Sequence, residues 1–186
     1  MHLNSPRIAP LTEAELTEDQ KAALAPLSIN GPPLNIFKTL ARDPKALTAF
    51  LAWGSYILSK RNSLPARERE IVILRIGYLC RSGYEWTQHH EIGKRSGLTD
   101  EEIERIKSGR GFNNADTALI KACDELHSRQ FISDSTWAEL RSHFSEKQCM
   151  DVVFTAGQYT QVSMMLNTFG VQLDPGQSLD PDLIVP

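Results

Sequence analysis

Helix-start chemistry recurs along this chain, and nothing in it opens a strand pair. Thr17-Glu-Asp-Gln20, Thr99-Asp-Glu-Glu102 and Ser145-Glu-Lys-Gln148 each place Glu or Gln three residues after Ser or Thr. In that arrangement two side chains satisfy the free backbone donors of a first helical turn. Pro44 and Pro65 stand where a first helical residue would, a position at which a missing N–H costs nothing. Gly97, Gly109 and Gly170 close periodic stretches, as helix stops do. The pattern predicts helices over 13–26, 34–41, 44–60, 65–81, 84–96, 100–108, 115–129 and 135–169, the last broken near Ser145. The one hairpin-like dipeptide, Asn30-Gly31, runs into Pro32-Pro33 instead of a strand. The expected fold class is all-α, with short loops favouring antiparallel helix neighbours. A single domain is expected over 1–186, its residues 171–186 an extended, proline-bearing tail that docks on a neighbour or stays mobile.

Composition narrows the function classes. The 186 residues make about one domain, and 41% hydrophobic content suffices for a core without disulfides or structural metal. A formal net charge of −3 lacks the basic footprint of a nucleic-acid binder. No run of ~18 apolar residues predicts a membrane span. The N-terminal stretch has no basic region followed by an apolar one, so no secretory signal is read there. Cys80, Cys123 and Cys149 are odd in number and far apart, which fits a reducing, cytoplasmic setting. They make neither a CxxC pair nor a Cys-rich zinc site.

Two segments are too apolar for ordinary surface helices. Ile71–Leu79 is apolar nearly all round except at Arg75, and Met150–Phe169 carries apolar residues on most faces. Such helices are central in a bundle or buried between subunits, and in a chain this short burial in a homo-oligomer is attractive. Arg75 needs a carboxylate partner, either Glu70 or an acid on another helix, because an unpaired buried guanidinium is costly.

The densest polar cluster in an apolar setting is Arg67-Glu-Arg-Glu70 followed by Cys80-Arg-Ser-Gly-Tyr-Glu85-Trp-Thr-Gln-His89-His90. Glu85 and His89 are four apart and share a helix face. A short turn around Ser82-Gly83 lets an antiparallel pair bring Glu70 beside them. A histidine flanked by carboxylates can exchange a proton near neutral pH, one carboxylate fixing its tautomer. The same spacing also serves a plain surface contact. Metal binding is not expected, because His89 and His90 point about 100° apart on a helix. Tyr84 and Trp86 read as core. Cys80 precedes Arg81, which would lower its pKa, but no second thiol lies near to resolve a sulfenic acid.

The stretch Leu64–Ile106, LPAREREIVILRIGYLCRSGYEWTQHHEIGKRSGLTDEEIERI, resembles the carboxymuconolactone decarboxylase family of the AhpD-like superfamily. The flanks extend the resemblance from Arg7 to Pro175, in a branch carrying Tyr-Glu-Trp-x-x-His. It implies an AhpD-like helical bundle with an antiparallel helix pair at its heart, assembled as a trimer or hexamer, a dimer being the smaller alternative. In alkylhydroperoxidase members a Glu is followed twelve residues later by the first Cys of a CxxC, and a His lies four after the second Cys. Here Glu70 takes the Glu position, Ser82 and Glu85 the two Cys positions, and His89 the His position. A dithiol peroxidase needs both an attacking and a resolving thiol, so the peroxidase or peroxiredoxin label of such families does not fit this chain's chemistry.

The resemblance then implies a cofactor-independent lyase or isomerase acting by acid/base chemistry on a small unsaturated lactone or carbonyl acid, with no metal and no organic cofactor. His89 would give the proton, Glu85 orient the imidazole, and Glu70 hold a water or take a proton. Arg75 or Arg67 would bind a substrate carboxylate. Ser82 is expected at the substrate site, and Tyr159 and Asn167 either line the cavity or close the core. Two alternatives stay open: a redox enzyme using Cys80 with an external thiol, and a non-catalytic oligomeric binding protein of the same fold.

Overall fold

A computed structural model describes residues 1–29 and 31–184, so Asn30 of the Asn-Gly pair and Val185–Pro186 of the tail lie outside the described residues. The described chain is helical, with no strand among the described residues: α1 (Glu18–Leu24), α2 (Asn35–Leu40), α3 (Pro44–Ile57), α4 (Ala66–Leu79), α5 (Gly83–Arg95), α6 (Asp100–Ser108), α7 (Asn114–Arg129), α8 (Asp134–His143) and α9 (Glu146–Phe169). Thr17, Thr99 and Ser145 each cap a helix, the N3 side chain reaching back to the cap in all three. Ser145 divides the expected 135–169 stretch into α8 and α9. The expected 13–26 helix is shorter, because Thr12 and Glu15 close a separate 3₁₀ turn ahead of α1 and Ala25–Leu27 tighten into another.

The core is organised around α4. Ile71, Val72, Ile73, Leu74 and Ile76 are wholly buried, enclosed by α5, α6, α7 and α9 of the same chain. Burial between subunits is therefore not what hides this helix. The long α9 differs, since Met150, Val153 and Met164 are exposed on its outer side.

Arg75 finds its partner on a different helix from Glu70. Its Nε donates to Asp124 at 2.7 Å, and Nη1 donates to the carbonyls of Ile106 and Lys107 at the end of α6. Arg67 forks onto Asp116 at 3.0 and 2.9 Å and also reaches Glu102 at 2.6 Å. Both arginines thus clamp helices together.

A tight turn joins α4 to α5. Arg81 adopts a left-handed backbone (φ 53°), the Arg81 N–H donates to Tyr78 and the Ser82 N–H to the carbonyl of Gly77. The reversal lays α5 back along α4. The helices approach closely at Gly77, where a Cβ would lie 2.6 Å from Glu85 Oε1.

The tail docks on its own chain. Asp174 accepts from the Tyr84 hydroxyl at 2.5 Å, the Gln88 amide at 2.8 Å and the Asn35 N–H at 2.8 Å. Further along, Lys107 pairs with Asp180 at 2.7 Å and Asp182 at 3.0 Å, and Leu183 is fully buried. Among the described residues no helix is long and apolar enough to cross a membrane.

Candidate active site

The α4–α5 hairpin and the middle of α9 together build one polar cluster in the apolar interior. Glu70 points from α4 toward α5, and its Oε2 lies 2.7 Å from His89 Nδ1. Both residues are buried, at 1% and 7% exposure. That contact commits Nδ1 and leaves Nε2 as the nitrogen available for chemistry. The Tyr159 ring of α9 stands edge-on to the imidazole, 4.8 Å between centroids. Packing against Glu70 and Tyr159 therefore fixes the orientation of His89 from two sides.

Glu85 lies one turn before His89, deeper between α5 and α9. Its Oε2 accepts from the Ser163 hydroxyl at 2.8 Å, while Oε1 is buried without a partner. Burial, with the neighbouring Glu70 charge adding to it against the Ser163 hydrogen bond, holds this carboxyl well above the usual carboxylate range. Glu85 thus holds its proton to higher pH than an exposed carboxyl does. Burial likewise pushes the Tyr159 hydroxyl well above its ordinary value, Glu70 and Glu85 reinforcing the shift, so that the phenol keeps its proton. The imidazole's partner is thus Glu70, where the sequence reading placed Glu85: the antiparallel register puts the Glu70 carboxylate at the ring nitrogen, while Ser163 holds Glu85.

A cavity of about 390 Å³ opens in front of this cluster. Glu85, His89 and Tyr159 line it, together with Gln158 and the tail-tethered Tyr84 and Gln88. Most of the remaining wall is apolar, from Ile36, Phe37, Phe50, Ile57, Val162 and Leu166. Glu70 is not in the wall; it acts from behind His89.

The structure does not bring every expected residue to the cavity. Arg75 and Arg67 are spent on Asp124, Asp116 and Glu102. Ser82 is fully buried at the start of α5, with an unpartnered hydroxyl and no place in the cavity wall. Asn167 donates to the Cys80 carbonyl at 2.9 Å, tying α9 to the α4–α5 turn. Sequence reading passed over Ser163 and Gln158, and took Tyr84 for core. The available signal was spacing on α9, where Tyr159 and Ser163 are four apart, as are Gln158 and Val162.

Cys80 stands outside the cavity, half-buried, its Sγ 3.6 Å from His127 Nδ1. Burial, with the Glu85 carboxyl next in weight, pushes its pKa up to about 11. The lowering expected from Arg81 does not prevail, because Arg81 is exposed on the turn while the thiol is withdrawn from solvent. Among the described residues no three His, Cys, Asp or Glu side chains are grouped as metal ligands would be.

Residues 44–126 match the carboxymuconolactone decarboxylase family model. No curated protein matches the chain. Among solved structures, the alkylhydroperoxidase AhpD core of a peroxidase-related protein from Ralstonia eutropha JMP134 is similar, with TM-score 0.77 and 19% identity over 90% of this chain and 93% of that one. A peroxidase-related protein from Silicibacter sp. TM1040 superposes with TM-score 0.74 and 16% identity, over 94% of this chain and 92% of that one. The debrominase Bmp8, solved as a cysteine-to-alanine variant with 2,3,4-tribromopyrrole, gives 0.73 and 13% identity, covering 92% and 94%. At these identities the likeness is one of fold. Residues 44–126, which hold Glu70, Glu85 and His89, thus carry the sequence of the carboxymuconolactone decarboxylase family within an AhpD-like all-α fold.

Proposed function

We propose that the cavity is the active site of a thiol-independent acid/base enzyme that moves a proton on a small unsaturated lactone or related carbonyl compound. The observation carrying this reading is the 2.7 Å Glu70–His89 contact behind the cavity. His89 is the proton-transfer group through Nε2. Glu70 holds its tautomer and offsets the charge of the imidazolium formed when it takes a proton. Tyr159 keeps its proton and donates to the substrate's carbonyl oxygen as negative charge gathers there. His89 then returns the proton to a different carbon of the delocalised anion, which completes an isomerisation with no electron transferred. In the lyase variant the same imidazolium protonates the carbon left after loss of CO2, the unsaturated carbonyl being the electron sink.

The redox alternative is disfavoured, since a thiol with a pKa of about 11 holds little thiolate near pH 7. Homo-oligomeric assembly belongs to the same proposal, supported by the exposed Met150, Val153 and Met164 on α9 and Trp53 beside it on α3. Soaking crystals with unsaturated lactones tests the site. Density between His89 and Tyr159 is expected; a ligand seated at Cys80 would move the chemistry to the thiol.

A further inference from the structure

The cavity wall contains no lysine or arginine. Among the nearby arginines, Arg67 and Arg75 are consumed by carboxylates and backbone carbonyls elsewhere. Arg69, beside Glu70 in sequence, sits outside the wall and directs Nη1 to the Ser59 carbonyl at 3.5 Å. What faces the cavity instead is aliphatic and aromatic carbon, with polar groups confined to a few side chains. Of these, Gln88 is engaged by Asp174 and Gln177, and Ser55 donates to the Ala52 carbonyl.

Two carboxyl groups, Glu70 and Glu85, already stand at the polar end. A ligand carboxylate placed there would lose its hydration, and the one cation the wall can form, the His89 imidazolium, is already offset by Glu70 behind it. The Glu85 carboxyl is subject to the same cost, burial in this wall raising its pKa above the ordinary carboxylate value. An uncharged ring compound avoids that penalty and gains from apolar burial.

We infer that the cavity selects an uncharged, mostly apolar small molecule with a hydrogen-bond-accepting oxygen, and rejects the carboxylated form of the same compound. This rests on the reading of the cavity as the substrate site, and favours isomerisation over decarboxylation within it.

Calorimetric titration of the full chain with coumarin, coumarin-3-carboxylate and the ethyl ester of that acid separates charge from size. Coumarin and its ester are expected to bind at least about tenfold more tightly than the acid. Gly54→Trp, which fills the cavity from a position where an added Cβ meets open space, should abolish both neutral ligands' binding while the melting curve reports an intact fold. Gln158→Lys, placing a cation in the wall, should narrow or reverse the preference. Equal or tighter binding of the acid, binding of coumarin that survives Gly54→Trp, or no binding by any of the three would overturn the inference. A preference for the acid combined with His89-dependent turnover would remove this inference alone. Turnover indifferent to His89, with the neutral preference intact, would remove the acid/base reading alone.

Discussion

The surroundings of Glu85 decide how readily the cavity wall gives up a proton. Its carboxyl is held above the ordinary value near 4.5, chiefly by burial. The folded state therefore keeps a proton that the unfolded chain releases, and stability falls as pH rises from about 4.5 through the folded-state pKa. Glu85→Gln removes that titration while preserving shape. Its melting temperature relative to the parent is expected to increase as pH rises above about 4.5, as thermal scans at a series of pH values would show; a constant difference would mean Glu85 titrates normally. At His89 the expectation concerns activity. His89→Gln should lower turnover by about 10²–10⁴-fold with little change in the melting curve. Cys80→Ser should leave turnover unchanged. The Glu85–His89 pairing on one face is legible from a four-residue spacing alone. Which carboxylate meets the imidazole is not, because that depends on the depth at which α4 and α5 register, and on Ser163 from a distant helix.

Elements succeed here where their ends are chemically marked. The capping boxes at Thr17, Thr99 and Ser145 open helices as local sequence predicts, since the donors and acceptors concerned lie within one turn. The α4–α5 hairpin depends on less visible terms. Gly77 lets Glu85 approach α4, and a methyl at 2.6 Å from an oxygen tied down by burial cannot be accommodated without displacing α5. Gly77→Ala should therefore destabilise by about 1–3 kcal/mol in urea unfolding, despite alanine's better helix propensity. A neutral or stabilising result would show that Glu85 swings aside. Arg75→Met tests the clamp between α4, α6 and α7. Removing the guanidinium leaves two carbonyls at the end of α6 without their donor, for an expected loss of about 2–3 kcal/mol by the same measurement. An arginine inside an apolar helix announces that a partner exists. Asp124, 49 residues away, could be identified only once the helices were packed.

For the whole molecule, the sequence-distant parts are those that enclose the cavity. The tail returns from the end of α9 to place Asp174 against Tyr84, Gln88 and the start of α2, so two wall residues are held by a segment that lies outside the wall. Nothing in the local composition of 171–184 marks that docking. Apolar patterning does mark α4 as buried, and the bundle shows how: its own neighbours enclose it, which leaves the exposed apolar residues of α9 as the surface proposed for self-association. Light scattering of the chain is expected to show an oligomer that Val153→Arg converts to a monomer; a parent chain already monomeric at micromolar concentration would contradict that expectation. The proposed chemistry requires His89 to move protons on carbon without a thiol. Incubating the chain with cyclic enones and unsaturated lactones in D2O, and following carbon-bound deuterium by NMR, measures that step directly. Deuterium incorporation by the parent and by Cys80→Ser, but not by His89→Gln, is the predicted result. Incorporation that persists in His89→Gln, or that disappears in Cys80→Ser, would contradict it.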